Sequence, residues 1–252
     1  MVVKRPFAKG NTADLYRCEH HVVKVFKEYL PKTEALYEAQ KQRLAYSTGL
    51  RVPRVADVIE VEGRQAIVME YIQGKPIGPL LQKNEQQDEF YIRVCVDVHV
   101  EIHQIQPEFD ALEPMTGKLR RQLNASDLER NIVDLLLNRL STFQFEPRLC
   151  HGDFHPNNVL IDQEDVTIID WVDASVGDRR ADVARTYILI AQSSLPLAKQ
   201  YLTIYCEQAG VIEEEIYQWI PIIAAARLTE HLESEDSGIL KEILYKHLKY
   251  LS

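Results

Sequence analysis

The strongest constraint in this sequence is a polar loop that is followed closely by a short apolar run. The loop reads His151-Gly152-Asp153-Phe154-His155-Pro156-Asn157-Asn158, and the run Val166-Thr167-Ile168-Ile169 ends at Asp170. β-Branched residues favour a buried strand, so the run predicts a strand that holds the Asp170 carboxylate rigidly. Asp153 and Asn158 then lie on the loop. The fold must therefore present two carboxylates and an amide from a loop and a strand end.

Two carboxylates and an amide at these spacings suit metal-assisted phosphoryl transfer. Transfer of a γ-phosphoryl group needs a residue that acts as base or orienter for the accepting hydroxyl, and it needs hard oxygen ligands for Mg²⁺. Asp153 is the candidate catalytic residue, and Asn158 and Asp170 are the candidate metal ligands. An isolated Asp on a loop is more often a solvated turn residue, so the prediction depends on the combination.

These motifs also carry a family resemblance. The pattern His-Gly-Asp-x-x-x-x-Asn followed by Ile-Asp-Trp resembles the aminoglycoside phosphotransferase and choline kinase family, whose members are relatives of protein kinases. Residues 177–184, Gly-Asp-Arg-Arg-Ala-Asp-Val-Ala, resemble a further family segment, with Arg179 in place of the usual Pro. Phe154 replaces a Leu, and Asn157 stands where Gly is common. The resemblance is specific over residues 150–184 and looser elsewhere.

The resemblance implies a fold, cofactors and an activity. It implies an α+β, bilobal protein-kinase-like fold with a small lobe of antiparallel strands and one helix over residues 1–72. A larger, mostly helical lobe follows over residues 73–252. ATP and Mg²⁺ are the implied cofactors, and the implied activity moves the γ-phosphoryl of ATP to a hydroxyl of a small molecule. It also implies that His151 and Asp182 support the loop around Asp153.

The first part of the chain predicts a nucleotide-binding lobe. Residues 7–18 read as two strands joined by a turn at Gly10, Asn11 and Thr12, and residues 21–27 alternate as a third strand with Lys24 in its middle. The resemblance implies that Lys24 bridges the α- and β-phosphates and pairs with a helix glutamate. The turn then offers backbone N–H groups to phosphates, with an ordinary hairpin turn as the alternative.

A helix and a hairpin complete the predicted small lobe. Strong helix formers from Thr33 to about Gly49 predict a helix, on which Glu38 is the preferred partner of Lys24 and Glu34 the alternative. Residues 52–61 and 65–72 predict a hairpin that leaves the lobe through Gly and Pro at residues 73–76. The resemblance makes this exit a hinge, where three backbone positions would meet an adenine edge: Glu70, Tyr71 and Ile72. Met69 faces the purine or packs in the core.

Beyond the hinge the chain becomes helical and carries further candidates. Residues 90–103 are rich in apolar, β-branched residues that also suit a strand, and the resemblance implies a buried helix. His99 and His103 are then core or helix-end histidines, because no cysteine or second carboxylate accompanies them at ligand spacing. After the metal Asp, three residues are candidates for contacting the acceptor: Trp171, Asp173 and Asp178. The alternative for the two acidic residues is that they cap turns.

Charge is uneven along the chain. Residues 1–72 hold 12 Lys and Arg against 9 Asp and Glu, whereas residues 73–252 hold 17 against 29. A mildly basic first part suits a nucleotide, and an acidic second part favours a cationic or amine-bearing acceptor and disfavours nucleic acid. The alternative is that the acidic surface serves only solubility.

Composition limits the class of protein. The chain has 252 residues, of which 46% are hydrophobic and 27% are charged, and this suits an ordinary globular enzyme. No signal-peptide pattern or long apolar run is present, so we expect neither secretion nor a membrane span. Its four cysteines, Cys18, Cys95, Cys150 and Cys206, occur singly, which favours reduced thiols in the cytoplasm.

Two other functions stay open at this level. A serine/threonine protein kinase shares the same parts, but the chain has no Asp-Phe-Gly or Ala-Pro-Glu motif. A non-catalytic ATP-binding regulator would be expected to lack some of the residues on which phosphoryl transfer depends, and here all five are present: Lys24, Glu38, Asp153, Asn158 and Asp170. The sequence does not identify the acceptor, the preference between ATP and GTP, or the oligomeric state.

Overall fold

The structure, a computed structural model, describes residues 5–81, 85–108, 112–230 and 237–251. It divides into two compact units. The first unit comprises Met1–Ile77 and Asn157–Val172, and the second comprises Gly78–Pro156 and Asp173–Ser252. The chain therefore passes from one unit to the other three times, where we expected a single boundary after residue 72.

The described residues form strands in both units. In chain order they are β1 (Ala8–Lys9), β2 (Ala13–Cys18), β3 (His21–Phe26), β4 (Val55–Val61), β5 (Arg64–Glu70), β6 (Lys75–Pro76), β7 (Arg148–Cys150), β8 (Val159–Asp162), β9 (Asp165–Ile168) and β10 (Ser175–Gly177). The first unit holds a five-stranded sheet of order β1-β2-β3-β5-β4 and a three-stranded sheet of order β6-β8-β9, while β7 pairs with β10 in the second. All of these strand pairings are antiparallel.

Helices make up most of the second unit. They are α1 (Glu34–Ser47), α2 (Gly78–Leu81), α3 (Asp88–Gln104), α4 (Met115–Ala125), α5 (Arg130–Thr142), α6 (Arg179–Ala191), α7 (Leu195–Ala209), α8 (Glu213–Tyr217), α9 (Ile220–Arg227) and α10 (Ser237–His247). Only α1 belongs to the first unit. Within the described ranges, no helix has the length and apolar character that a membrane crossing requires.

Alternating apolar residues build the five-stranded sheet. Val23 and Val25 of β3 pack with Val61 and Ala66 on one face, while Phe26 packs on the other face with Ala35 and Ala39 of α1. The small side chains of α1 let the helix approach the sheet closely. The β4–β5 hairpin turns at Glu62 and Gly63, both with positive φ, as a two-residue hairpin of the primed type requires. The predicted strands, helix and hairpin of the small lobe are confirmed.

The second sheet explains why the predicted boundary differs from the observed one. β6 pairs with β8, so the exit at residues 73–76 is part of a ladder in the first unit. Ile77 N–H donates to the Val159 carbonyl at 2.9 Å, and Ile168 N–H donates to the Arg51 carbonyl at 2.9 Å. These bonds join residues that are far apart in the sequence. The β8–β9 hairpin, which ends just before Asp170, is thereby part of the first unit.

The second unit is built around buried helices. α3 packs against α7, and it buries Ile92, Val96 and Ile102 together with both of its histidines. Every residue of α9 is buried, including Arg227 at its end. The predicted helix over residues 90–103 is confirmed, and its β-branched residues are accommodated because packing outweighs local propensity.

Candidate functional site

Lys24 is held by two carboxylates within the first unit. It lies in the middle of β3, and its Nζ is 2.6 Å from Glu38 Oε1 on α1 and 3.2 Å from Asp170 Oδ1. Glu38, rather than the alternative Glu34, is the helix residue that contacts it. Burial acts to lower the pKa of Lys24, but Asp170 and Glu38 outweigh burial and raise the pKa above its ordinary value. The lysine is therefore a fixed positive charge.

Asp170 and Asn158 flank the same end of the β8–β9 hairpin. Val159 is opposite Ile168 in the ladder, so Asn158 lies just before one strand and Asp170 shortly after the other. Ile169 N–H donates to the Asn158 carbonyl at 3.0 Å. Asp170 has a φ of 65°, a left-handed conformation that Asp tolerates better than most residues and that often marks a functional position. A carboxylate and an amide at one hairpin end are ligand types that Mg²⁺ accepts.

The turn between β1 and β2 is tightly bonded within itself. Gly10 N–H donates to the Ala13 carbonyl at 2.8 Å, and the Thr12 carbonyl accepts a hydrogen bond from Lys27 N–H at 2.8 Å. The Tyr29 hydroxyl donates to the Asn11 carbonyl at 2.5 Å. The Gly10 amide is thus engaged in the turn, and phosphate contact from Asn11 and Thr12 stays a prediction.

At the end of β5, fewer backbone N–H groups are available to bind an adenine edge than we expected. Glu70 N–H donates to the Arg54 carbonyl at 2.9 Å, and Tyr71 N–H donates to the His20 carbonyl at 3.0 Å. These two N–H groups are therefore engaged within the protein, which leaves Ile72 as the remaining candidate donor of the three. Met69 packs against the apolar cluster around Phe26, in keeping with the core alternative.

Asp182 ties the loop around Asp153 to the start of α6 in the second unit. Its Oδ2 accepts a hydrogen bond from His151 N–H at 2.7 Å, and its Oδ1 accepts one from Gly152 N–H at 2.9 Å. His99 Nε2 and His103 Nε2 lie 3.1 and 3.3 Å from Oδ2. Burial acts to raise the pKa of Asp182, but the hydrogen bonds from the two histidines outweigh it and lower the pKa well below its ordinary value.

Two tyrosines complete this buried network. Tyr201 Oη is 2.5 Å from His99 Nδ1, and Tyr205 Oη is 2.7 Å from His103 Nδ1. Because each Nε2 faces a carboxylate, we assign its proton to Nε2 and let the tyrosine hydroxyl donate to Nδ1. Burial, followed by the neighbouring His103, lowers the pKa of His99 to about 3. The prediction that these are core histidines is confirmed, and the structure adds the Asp182 carboxylate, which reaches them from another helix.

Gly152 permits the loop to adopt its path. It has a φ of 80°, and a Cβ there would lie 2.2 Å from the Asp173 carbonyl oxygen. No other residue type fits without movement of the backbone. His151 contributes through its ring, since its Nδ1 accepts a hydrogen bond from Asp153 N–H at 3.2 Å. The backbone next to Asp153 is thus held from both sides.

Two guanidinium groups and an imidazole surround the Asp153 carboxylate. Its Oδ1 is 3.8 Å from a guanidinium nitrogen of Arg185 and 3.8 Å from one of Arg227, and its Oδ2 is 3.5 Å from His155 Nε2. Burial acts to raise the pKa of Asp153, but the hydrogen bond with His155 and the charge of Arg185 lower it well below its ordinary value. Asp153 is therefore ionised at neutral pH.

The three candidates for acceptor contact have different surroundings. Asp178 caps α6 by accepting from Arg180 N–H at 2.8 Å, and it also pairs with the Arg180 side chain, so the capping alternative applies. Trp171 is fully buried and donates to the Ile168 carbonyl at 3.3 Å, which leaves no exposed ring for stacking. Asp173 pairs with Lys118 at 2.5 Å and Arg185 at 3.3 Å. Only Asp173 keeps a partly exposed carboxylate beside Asp153.

Sequence reasoning missed three residues around Asp153: Arg185, Arg227 and Glu230. Arg185 and Arg227 each pair with Glu230, at 2.8 and 3.3 Å. A signal was present, because Arg185 lies in an apolar stretch of α6 and Arg227 ends the apolar α9. A charged residue inside an apolar helix needs a partner, so such positions are candidates for buried ion pairs.

A match to a family model and the fold of solved structures identify the family of this chain. A family model described as "Phosphotransferase enzyme family" matches residues 4–219, and the chain belongs to this family. Both the family resemblance and the α+β kinase-like fold are thereby confirmed.

Solved structures support the same fold. Aminoglycoside phosphotransferase APH(4)-Ia is 15% identical with a TM-score of 0.71, and the match covers 98% of this chain and 92% of that one. A choline/ethanolamine kinase family protein from Mesorhizobium loti is 15% identical with a TM-score of 0.63, over 100% and 88% of the two chains. The ADP-bound aminoglycoside phosphotransferase APH(2'')-Ib is 19% identical with a TM-score of 0.64, over 98% and 93%.

The curated relatives that the chain matches are much longer proteins. Acyl-CoA dehydrogenase family member 11 of Homo sapiens is 22% identical, and the match covers 72% of this chain and 28% of that protein. The protein of the same name from Pongo abelii gives the same values. The chain therefore spans less than a third of the length of the curated relatives that it matches.

Proposed function

We propose that the protein transfers the γ-phosphoryl group of ATP to a hydroxyl group of a small molecule. The observation that carries this proposal is the arrangement in the first unit, where Lys24 is held by Glu38 and faces Asp170. Membership of the phosphotransferase enzyme family supports it. A protein of similar fold also supports the proposal by binding a nucleotide: a thermostable mutant of APH(4)-Ia forms a ternary complex with ADP and hygromycin B.

In this proposal, Lys24 binds the α- and β-phosphates of the nucleotide. Its raised pKa keeps it charged, and the short contact with Glu38 fixes its position. Asn11 and Thr12 contact the phosphates from the exposed β1–β2 turn. The Ile72 N–H donates to the adenine edge, because the N–H groups of Glu70 and Tyr71 are already engaged.

Asn158 and Asp170 would hold Mg²⁺. The residues present fit the ion: both offer oxygen ligands at one hairpin end, and Lys24 alone balances only one of the two carboxylates around it. When bound, the ion would neutralise charge that develops on the phosphate oxygens. Asp170 also keeps Lys24 directed toward the phosphates through their 3.2 Å contact.

Asp153 orients the acceptor hydroxyl. Its lowered pKa makes it a hydrogen-bond acceptor at neutral pH, which is what positioning of a hydroxyl requires. His151, Gly152 and Asp182 position Asp153 through the backbone bonds described above. The main contribution of Asp153 is therefore alignment of the attacking oxygen.

The alternatives are less well supported. A protein kinase needs a long activation segment after the metal Asp, whereas here only residues 171–178 separate Asp170 from α6. A non-catalytic regulator would not need to retain both Asp153 and the Lys24–Glu38 pair. We also propose a cytoplasmic location, which four unpaired cysteines support, and no role in binding nucleic acid or membranes.

Nucleotide binding and turnover test the proposal separately. We expect ATP to bind in the presence of Mg²⁺, and Asp170→Asn to weaken this Mg²⁺-dependent binding by about 10- to 100-fold, as measured by titration calorimetry. Asp165→Asn is the matched control, because Asp165 is an exposed residue of the same hairpin. Equal effects of the two substitutions would contradict the assignment of Asp170.

Turnover distinguishes Asp153 from the nucleotide-binding residues. In a screen of ATP consumption over small hydroxyl compounds, we expect Asp153→Asn to lower kcat by about 10²- to 10⁴-fold while ATP affinity is unchanged. Full activity of the folded Asp153→Asn protein would overturn the proposal. Absence of ATP binding in the unmodified protein would overturn it as well.

A further inference from the structure

We propose that Lys41 is a positioning residue for Asp170. Its ammonium group holds the carbonyl of Val172, and this contact keeps Asp170 in the backbone conformation from which its carboxylate would bind Mg²⁺. The inference rests on the proposed function and deepens it by adding a residue to the metal side of the site. All of the residues involved belong to the first unit.

Lys41 is a buried residue of α1. Only 7% of it is exposed, whereas a lysine on a helix surface normally keeps its ammonium group in water. Its Nζ donates a hydrogen bond to the Val172 carbonyl at 2.5 Å. The Nζ also lies 4.4 Å from the centre of the Tyr37 ring, one helical turn earlier, and the face of an aromatic ring attracts a cation. The ammonium group is therefore held in one place.

The contact of Lys41 with Val172 joins two segments that are 131 residues apart in the sequence. A hydrogen bond from an ammonium group is stronger than one between neutral groups. Burial strengthens it further, because the local dielectric is lower than that of water. The bond thus fixes the backbone at Val172 relative to α1.

The same face of α1 also acts on the Asp170 side chain. Glu38 lies three residues before Lys41, so the two side chains project from one face of the helix. Glu38 Oε1 is 2.6 Å from Lys24 Nζ, which in turn is 3.2 Å from Asp170 Oδ1. The helix therefore reaches the Asp170 carboxylate through Lys24, and it reaches the backbone two residues further on through Lys41.

Asp170 needs such support because of its backbone conformation. Its φ of 65° is left-handed, which costs free energy in residues other than glycine and persists where surrounding contacts enforce it. Its side chain is 39% exposed, so packing alone does not fix the carboxylate. The direction in which the carboxylate points therefore depends on the backbone on either side of it.

That backbone is anchored both before and after Asp170. Before it, Ile169 N–H donates to the Asn158 carbonyl at 3.0 Å, a contact within the β8–β9 hairpin. After it, the Val172 carbonyl accepts from Lys41. The first contact is internal to the hairpin, whereas the second ties the segment to the helix that also holds Lys24. Loss of the Lys41 ammonium group would release the segment on one side.

Metal-dependent binding tests this role. Lys41→Met removes the ammonium group and keeps a long side chain. We expect the affinity for Mg²⁺ in the presence of ATP to fall by about tenfold in titration calorimetry, while the affinity for ATP without Mg²⁺ is unchanged. Arg43→Met is the matched control, because Arg43 is an exposed cation of the same helix. Equal Mg²⁺ affinities in the two variants would overturn the inference.

A direct role of Lys41 in nucleotide binding gives a different result. In that case Lys41→Met would weaken ATP binding equally with and without Mg²⁺, and this outcome would also overturn the inference. Lys41→Arg keeps a cationic donor, so we expect it to recover at least part of the lost Mg²⁺ affinity. Lys41→Gln, which is also uncharged, replaces Lys41→Met if the latter does not fold.

Fluorescence of Trp171 reports on the segment without nucleotide or metal. The chain has two tryptophans, so Trp219→Phe leaves Trp171 as the single one. Its ring is fully buried, and in this background we expect Lys41→Met to shift its emission to longer wavelength and to increase its quenching by acrylamide. Arg43→Met should change neither. Unchanged emission and quenching in folded Lys41→Met would overturn the inference.

Two further points keep the test decisive. If Trp219→Phe does not fold, faster hydrogen exchange of residues 169–173 in Lys41→Met is the expected result, and unchanged exchange overturns the inference. Absence of Mg²⁺-dependent ATP binding in the unmodified protein overturns the proposed function and the inference with it. Normal binding in the unmodified protein together with the same binding in Lys41→Met overturns the inference alone.

Discussion

Asp170 in the first unit and Asp153 in the second are the same residue type in different charged surroundings. Around Asp170, one ammonium group, that of Lys24, faces two carboxylates. Around Asp153, two guanidinium groups and an imidazole face one carboxylate. The first arrangement has an excess of negative charge, which a metal cation would balance. The second is balanced, because the cations Arg185, Arg227 and Lys118 face three carboxylates, those of Asp153, Asp173 and Glu230.

The difference shows that residue type alone does not determine what an acidic residue binds. Charged neighbours and burial determine the ionisation of a carboxylate and the charge of the ligand that it accepts. The overall acidity of residues 73–252 pointed to a cationic acceptor, yet the immediate neighbours of Asp153 are cationic. Contacts within a few ångströms dominate because charges on a solvated surface are screened.

The two acids also differ in how they are held. Asp170 follows a strand and takes a left-handed conformation in the hairpin. Asp153 lies on a loop that depends on the close approach at Gly152 and on the hydrogen bonds to Asp182. We therefore expect substitutions in the loop to be more damaging than substitutions near Asp170.

The largest expected effect comes from Gly152→Ala. A Cβ would lie 2.2 Å from the Asp173 carbonyl at a φ of 80°, so both steric overlap and backbone strain oppose it. We expect the free energy of unfolding to fall by about 4 kcal/mol in chemical denaturation. Gly210→Ala is the control, since Gly210 also has a positive φ but open space around it, and it should cost about 1 kcal/mol. Similar losses in the two variants would show that contact with Asp173 is unimportant.

Asp182→Asn should have the next largest effect. The amide would present a donor to groups that already donate, namely two histidine rings and two backbone N–H groups. We expect a loss of about 3 kcal/mol in the free energy of unfolding, together with reduced turnover. Asp97→Asn, at an exposed position of α3, serves as the control. A loss below that of the control would mean that the loop does not depend on this network.

Lys24→Met tests how much the Lys24–Glu38 ion pair stabilises the first unit. Removal of the ammonium group leaves Glu38 buried beside Asp170 without its cation, and we expect a loss of about 2–3 kcal/mol, moderated because Glu38 can take up a proton. Lys27→Met removes a lysine from the more exposed pair with Asp14, and it should cost less than about 1 kcal/mol. Comparable losses would contradict the buried character of the Lys24 pair. Thermal unfolding at neutral pH measures both variants.

The smallest expected effect is a decrease in stability as the pH is lowered. Burial keeps His99 neutral with a pKa of about 3 in the folded protein, against an ordinary value of 6.5. The unfolded chain therefore binds more protons below pH 6.5, and stability falls as pH is lowered through the window from about 6.5 to 3. Between pH 8 and 5.5 the loss from this group is about 1 kcal/mol. His99→Asn should flatten the measured curve, and an unchanged slope would contradict a neutral His99. Lys24 is charged in both the folded and the unfolded protein throughout this window, so it does not contribute to the pH dependence of stability there.

Local motifs carried most of what the sequence predicted correctly. Lys24 stands in an alternating strand and Glu38 in a helix of strong helix formers, so each position follows from periodicity and family pattern. The structure brings these two side chains into contact. Asp170 follows a β-branched run, and the observed strand ends two residues before it.

Long-range contacts account for what the sequence did not predict. The cluster around Asp153 joins Arg185 of α6 to Arg227 and Glu230; only the Arg227–Glu230 pair is local, at i,i+3, and no local pattern links Arg185 to it. The unit boundary depends on the pairing of β6 with β8, which are about eighty residues apart in the chain. The engaged amides of Glu70 and Tyr71 likewise depend on partners in distant turns. Such features require the packed structure.

The histidine and tyrosine pairs beneath the loop have a consequence for evolution. His99 pairs with Tyr201 and His103 with Tyr205, and both pairs are separated by 102 residues in the sequence. The helices α3 and α7 therefore run parallel, with the two pairs one helical turn apart. Loss of one member leaves the other with an unsatisfied buried polar group. We therefore expect relatives to replace the two members of each histidine–tyrosine pair together. Covariation of these positions across homologous sequences would show this.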